Sequence, residues 1–191
     1  MINRRETRQV RAGSVAIGGG APVSLQSMTN LPIEETEGSI RQINELAAAG
    51  VDIVRLAIRN EQSAEHFRRI ASSVKIPLVA DIHFDYRIAI AAIKAGAAKI
   101  RINPGNIGDE WKVREVVSAA KANGVPIRIG VNGGSINRNK YSHPTPEALV
   151  DSAMENIRVL EDMGFEDIVI SIKSSDIFST IEANRVMAAT R

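Results

Sequence analysis

The segment GFEDIVISIK, from Gly164 to Lys173, passes from a glycine through a mostly apolar run to a basic residue. Three shorter segments have the same order, namely Gly50–Arg55, Gly96–Arg101 and Gly124–Arg128. Nearly continuous apolar runs that are rich in Ile and Val are typical of parallel strands buried on both faces. The repeat therefore predicts a parallel sheet covered by helices, with a cation at the same end of four strands.

Helical patterns separate these strands. Ile40, Ile43 and Leu46 recur at helical spacing before Gly50, and Thr145 with Pro146 has the character of a helix start. The predicted strands cover residues 15–17, 23–25, 52–58, 78–82, 99–102, 127–131 and 168–172. The chain thus consists of six β-then-α units with a short β segment in front of them.

Six such units fit two architectures. A (β/α)₈ barrel and an open doubly wound sheet both have parallel strands linked by helices, but a barrel needs about 250 residues and eight units. The chain has 191 residues, and its helical pattern continues up to Arg191. From the residues alone we expect an α/β domain that is either an open sheet or a barrel cut off two units early.

Composition narrows the class of protein further. Hydrophobic residues make up 44% of the chain and aromatic residues only 4%, which predicts one soluble domain with an aliphatic core. The net charge of +2 argues against nucleic acid as the main partner. Cysteine is absent, so the chain has no disulfide and no thiolate ligand for a metal or an iron–sulfur cluster. Without a signal sequence or a membrane span, we expect a cytoplasmic location.

The strand ends carry the candidate site residues. In parallel α/β folds the carboxyl ends of the strands form the functional face, and Arg55, Arg101, Arg128 and Lys173 end four strands there. Two arginines about 6 Å apart repel by roughly 3 kcal/mol at an effective dielectric constant of ~20. A single arginine at a strand end is more often paired with a carboxylate, and Lys173 has Asp176 as an alternative partner. Recurrence at four strands favours an anion site, and a diphosphate suits the guanidinium fork.

Polar residues at the same ends add to the candidate site. Asp81 and His83 alternate on one strand and therefore project to the same side, where His83 could donate to a phosphate or exchange protons. No third ligand accompanies this pair, so no metal site is predicted. Asn103 and Asn132 each follow a strand directly. Their segments are either plain β-turns or turns that also bind the oxygens of a ligand.

Six motifs resemble those of the 4-hydroxy-3-methylbut-2-enyl diphosphate synthase family. They are Val23–Asn30, Val54–Ala57, Ala80–Phe84, Lys99–Asn106, Ile127–Asn132 and Ser171–Ser175. The motifs follow one another through nearly the whole chain, and as a set they are specific. The resemblance implies a TIM (β/α)₈-type barrel, truncated after about six βα units. It further implies that this barrel binds 2-C-methyl-D-erythritol 2,4-cyclodiphosphate at its C-terminal face, in isoprenoid biosynthesis.

The resemblance also implies roles for single residues. Arg55, Arg101, Arg128 and Lys173 match phosphate-binding positions of the family, and Asp81, His83, Asn103 and Asn132 match other polar groups of its pocket.

In this family the reduction uses two electrons from ferredoxin or flavodoxin. They pass through a 4Fe-4S cluster on a separate C-terminal domain, which closes over the partner's barrel in a homodimer. On this interpretation residues 1–191 are only the substrate-binding barrel, and we expect them to be inactive alone.

Two other functions remain open. One is a cluster-independent barrel enzyme for a phosphorylated or pterin-like substrate, similar in broad outline to dihydropteroate synthase or to a sugar-phosphate aldolase. An aldolase would use Lys173 to form a Schiff base, which borohydride would trap. The other is an anion-binding or regulatory module without catalysis.

Overall fold

The computed structural model describes residues 5–190, without the side chains of Pro104 and Gly105. Its main sheet has six parallel strands whose order in space is their order along the chain. These strands are β3 (Gln26–Met28), β4 (Ile53–Ala57), β5 (Leu78–Asp81), β6 (Lys99–Ile102), β7 (Ile127–Val131) and β8 (Ile168–Ile172). A doubly wound sheet reverses its strand order at a switch point, whereas a barrel does not. The fold is therefore an α/β partial barrel of the TIM type.

Helices follow the strands and cover the outer face of the sheet. They are α1 (Thr36–Ala48), α2 (Ser63–Ser73), α3 (Tyr86–Lys94), α4 (Pro104–Ile107), α5 (Glu110–Asn123), α6 (Pro146–Glu161) and α7 (Ile177–Thr190). None of the helices within residues 5–190 combines the length and the apolar character that crossing a membrane requires.

The main core lies between the sheet and these helices. Ile100 and Ile102 of β6 belong to the same buried cluster as Val116 and Val117 of α5. Each such aliphatic side chain contributes about 1.5–3 kcal/mol when it leaves water. Since alternate residues of a strand point to opposite faces, the intervening positions of each strand face the barrel interior.

A two-stranded antiparallel hairpin precedes the barrel. It consists of β1 (Val10–Ala12) and β2 (Val15–Ile17), with Gly13 in its turn at a φ of 57°. Ala12 packs against Ile53 and Val79, which are interior residues near the amino ends of β4 and β5. The hairpin therefore covers the amino-terminal opening of the barrel.

The predicted strand over residues 23–25 is wrong, because the strand lies at Gln26–Met28. Val23 and Leu25 are 75% and 59% exposed, although their side chains favour strands. The backbone of Gln26–Met28 instead pairs with Ile53–Arg55 of β4, so a neighbouring strand outweighs side-chain preference. Gly18, Gly19 and Gly20, which lie between the predicted strands 15–17 and 23–25, form a turn after β2 in which the Ala21 amide donates to the Gly18 carbonyl, whereas the hairpin turn lies at Gly13.

The segment after β6 also differs from its prediction as a β-turn. Residues Pro104–Ile107 form the one-turn helix α4, and the Asn106 and Ile107 amides both donate to the Asn103 carbonyl. Proline at the first helical position favours this conformation because its φ is already set. Ile107 is buried at 3% exposure, so the turn of helix is held down by packing.

Candidate anion-binding site

The strand register brings the predicted charged residues to one face. Asp81 on β5 is in register with Arg101 on β6, and Arg101 is in register with Arg128 on β7. Parallel strands in register place such partners side by side on the same face. Arg55 on β4 lies in the next interior layer toward the amino ends of the strands, because its partner in register on β5 is Val79, two residues before Asp81. Three arginines and one aspartate thus meet inside the barrel.

Asp81 is the carboxylate that two of these arginines share. It is only 3% exposed, and its Oδ1 accepts a hydrogen bond of 3.1 Å from Arg101 Nη1. Its Oδ2 lies 3.5 Å from Arg55 Nε and 3.9 Å from His83 Nε2. The Arg55 guanidinium also donates to the Met28 sulfur, which is a weak acceptor. One negative charge therefore faces three guanidinium groups.

Arg128 is the least compensated of the three cations. Its Nη2 donates to the Ser171 hydroxyl at 2.6 Å, and its buried Nε has no hydrogen-bond partner among the described residues. Burial, and then the positive charges of Arg55 and Arg101, lower the pKa of Arg128, while Asp81 opposes this shift. A buried donor without a partner is costly unless a ligand completes it. An anion above Arg128 would do so.

Gly130 on β7 leaves room for Arg101. A Cβ at this position would lie 2.7 Å from Nη2 and 2.9 Å from Cζ of Arg101. Since any other residue would carry that Cβ, the guanidinium can lie against β7 only over a glycine. This glycine was not recognised as a site residue from the sequence.

Lys99 is a second residue that the sequence analysis missed. It precedes Arg101 by two positions on β6, shares the interior face with it, and is 2% exposed. Burial, followed by the positive charges of Arg128 and Arg55, lowers its pKa from 10.5 to about 8. The available signal was alternation: a lysine two positions before a functional arginine on a buried strand has the same orientation.

The remaining predicted residues lie around this cluster. His83 and Asn103 follow β5 and β6, and Asn103 is 3% exposed. Asn132 is exposed, and its side-chain oxygen accepts from the Gly134 amide at 2.9 Å, so it shapes its own turn. Lys173 is exposed and extends the pairing of β8, because its amide donates to the Val131 carbonyl.

The alternative partner of Lys173, Asp176, is engaged elsewhere. The Asp176 carboxylate accepts a hydrogen bond of 2.6 Å from the Ser179 amide at the start of α7. Asp176 therefore caps this helix.

A groove of about 600 Å³ lies beside the arginine cluster, between the loops that follow β4 and β5. His83 lies near Asp81 of the cluster and also lines the groove, while Phe84, Arg59 and Arg87 line only the groove. The three clustered arginines do not line it, so the groove adjoins the candidate site. Within residues 5–190, no three His, Cys, Asp or Glu side chains are grouped so that they could hold a metal ion.

The sequence model of the GcpE TIM-barrel domain matches residues 7–191. The chain belongs to the GcpE TIM-barrel family. This GcpE barrel is 51% identical over 191 residues to 4-hydroxy-3-methylbut-2-en-1-yl diphosphate synthase (flavodoxin) of Natranaerobius thermophilus, covering 98% of the chain and 54% of the relative. It is 49% identical over 192 residues to the enzyme of the same name from Thermodesulfovibrio yellowstonii, covering 99% and 55%. The chain spans about half the length of the curated relatives it matches.

Solved structures with little sequence similarity share the fold of the GcpE barrel. Dihydropteroate synthase of Yersinia pestis superposes with a TM-score of 0.63 at 12% identity, over 85% of this chain and 61% of that one. A truncated form of 3-deoxy-D-arabino-heptulosonate 7-phosphate synthase from Thermotoga maritima gives 0.61 at 20% identity, over 90% and 59%. At these identities the likeness shows the fold alone. This shared fold agrees with the strand order. The family match and the relatives at about 50% identity confirm the resemblance noted in the sequence.

Proposed function

We propose that this GcpE barrel is the substrate-binding part of a 4-hydroxy-3-methylbut-2-en-1-yl diphosphate synthase, a cytoplasmic oxidoreductase of isoprenoid biosynthesis. The observation that carries the proposal is the interior cluster in which Arg55 and Arg101 share the single carboxylate of Asp81 while Arg128 lies beside them without a carboxylate of its own. Its excess of two positive charges suits a diphosphate. The names of relatives at about 50% identity supply the reaction.

Each polar group of the site receives a role in this proposal. Arg128 uses its unpaired Nε on a phosphate oxygen of 2-C-methyl-D-erythritol 2,4-cyclodiphosphate, and Arg101 and Arg55 share the remaining oxygens with Asp81. Each hydrogen bond between such charged groups is worth about 1.5–3 kcal/mol. The residues around the cluster that contact the rest of the substrate are His83, Asn103, Asn132 and Lys173.

The reduction itself needs groups that this chain does not provide. A 4Fe-4S cluster is held by cysteine thiolates, and the chain contains no cysteine. The residues present therefore do not fit a cluster, and we assign none of them to electron transfer. The cluster, a C-terminal domain that holds it, and the homodimer remain proposals. The same holds for the donor, which is flavodoxin in the names of the relatives and ferredoxin as the alternative.

Calorimetric titration of the full-length protein with the cyclodiphosphate tests the binding role. Arg128→Gln should weaken binding by about 10- to 150-fold, which corresponds to the loss of one charge-assisted hydrogen bond. The matched control is Arg114→Gln on the outer helix α5, where Arg114 pairs with Glu110, and its affinity should stay that of the wild type. Equal binding by Arg128→Gln and wild type would contradict the proposal.

Turnover tests the division of labour. The full-length protein with reduced flavodoxin should convert the cyclodiphosphate to 4-hydroxy-3-methylbut-2-en-1-yl diphosphate, which phosphorus NMR distinguishes from the substrate. The 191-residue chain alone should show no product. Product formation by that chain without added protein would refute the assignment of the reduction to other residues.

A further inference from the structure

One buried cation has no role in the proposed function. Lys99 lies on the interior face of β6, in register with Val79 of β5, which in turn is in register with Arg55 of β4. It therefore belongs to the interior layer directly below the pair formed by Arg101 and Asp81. At 2% exposure it is removed from solvent, and an isolated ammonium is costly in such a place.

The surroundings of Lys99 are predominantly positive. The charged side chains on the interior faces of the packed strands are Arg55 on β4, Asp81 on β5, Arg101 on β6 itself and Arg128 on β7. The other elements bring neutral side chains: Met28 from β3, Ser171 from β8 and Ala12 from the hairpin. Asp81 is already shared by two arginines. The groups that act most on Lys99 after burial are the cations Arg128 and Arg55.

Charge counting shows what Lys99 could add. The buried cluster of three arginines and one aspartate has a charge of +2, and a protonated Lys99 raises it to +3; the exposed Lys173 at the rim is not part of this cluster. The product in the names of the relatives is a diphosphate monoester, which has three ionisable phosphate oxygens. With Lys99 protonated, the buried cluster alone carries a charge equal in magnitude and opposite in sign to that of the fully ionised ligand.

We propose that Lys99 is a further binding residue of this site that takes up a proton when a diphosphate monoester binds. The inference rests on the proposed function, because it concerns the same pocket. With a pKa of about 8, roughly half of the Lys99 side chains are uncharged at pH 8 in the free protein. A bound anion offsets the positive charges of Arg128 and Arg55, and this favours the protonated form.

The test is the pH dependence of binding of 4-hydroxy-3-methylbut-2-en-1-yl diphosphate to the full-length protein, measured by calorimetry at pH 7, 8 and 9. The last phosphate ionisation lies near a pKa of 6, so the ligand is almost fully ionised throughout. The affinity should fall about tenfold between pH 7 and pH 9. Titrations at pH 8 in buffers with different ionisation enthalpies should show that about half a proton is taken up.

Two substitutions separate charge from titration. Lys99→Arg keeps a positive charge at every pH, so its binding should be independent of pH and without proton uptake. Lys99→Met should bind more weakly than wild type at pH 7 and also lose the pH dependence. Lys75→Met, at an exposed lysine between α2 and β5, should behave as wild type. His83→Asn should retain the tenfold fall.

The outcomes distinguish this inference from the proposed function. Equal wild-type affinity at pH 7 and pH 9 would overturn the role of Lys99 while leaving the anion site in place. A tenfold fall that persists in Lys99→Arg or disappears in His83→Asn would assign the titration to another group and overturn it as well. If the diphosphate monoester binds at no pH while the cyclodiphosphate still binds, the inference falls and the proposed function stands; if neither ligand binds, both fall.

Discussion

Gly130→Ala tests whether the position of Arg101 depends on the bare backbone of β7. The added Cβ would lie 2.7 Å from Nη2 and 2.9 Å from Cζ of Arg101, so the guanidinium must move. Its 3.1 Å hydrogen bond to Asp81 would then be lost, and such a bond contributes about 1.5–3 kcal/mol. Alanine regains about 0.5–1 kcal/mol over glycine in a strand. We therefore expect a loss of about 1–2 kcal/mol in the free energy of unfolding.

Gly130→Ala should also weaken ligand binding, because the added methyl group displaces Arg101. If the proposed function holds, a displaced Arg101 loses its bond to the ligand, which should weaken binding of the cyclodiphosphate by about 10- to 150-fold. Calorimetry and urea unfolding measure the two effects separately. A double-mutant cycle with Arg101→Met isolates the cause, because Gly130→Ala should have no further effect on binding in that background. Wild-type affinity in Gly130→Ala, or an equal loss in both backgrounds, would refute the reasoning.

Three further substitutions address charge and capping. Asp81→Asn should lower the free energy of unfolding by about 3 kcal/mol in urea melts, since it leaves buried guanidinium groups without their carboxylate. Added sulfate should restore part of the lost stability, and an unchanged melt would contradict the shared-carboxylate geometry. The pKa of Lys99 is lowered from 10.5 to about 8 in the folded protein, so between these values the unfolded chain binds more protons than the folded one. The free energy of unfolding should therefore rise by about 3 kcal/mol from pH 8 to 10.5, relative to Lys99→Met. Parallel curves for the two proteins would count against a buried, neutralised lysine. Thr145→Ala should cost about 0.5–2 kcal/mol in the same assay, because the Thr145 hydroxyl accepts from the Ala148 amide at the start of α6.

Three strands were predictable from the sequence to the residue. β6 at Lys99–Ile102, β7 at Ile127–Val131 and β8 at Ile168–Ile172 have the predicted bounds, because alternate positions of each strand carry the aliphatic residues that pack under the helices. Gly124 likewise ends α5 in the left-handed conformation, at a φ of 62°. β3 was not predictable in this way. Its residues Gln26–Met28 form a strand because β4 offers a partner, and a partner leaves no pattern in the sequence.

The candidate site was predictable as a set of positions but not as a set of contacts. The repeat identified the strand ends, and the register then brought Asp81, Arg101 and Arg128 side by side. Which arginines share the carboxylate depends on side-chain geometry across strands, which spacing along one strand does not contain. Alternation along β6 places Lys99 on the interior face with Arg101, but the layer it occupies is set by the stagger between neighbouring strands, which the sequence does not contain.

The Asp81 carboxylate competes with an incoming anion for the guanidinium groups of the cluster. Two of the three guanidiniums already hold this carboxylate, so an incoming phosphate oxygen displaces or shares an existing contact. We therefore expect a lower affinity for an anion than three free guanidinium groups would provide, because the carboxylate can pair with them again as the anion leaves. If the proposed function holds, such a site releases its ligand faster than one without the carboxylate would.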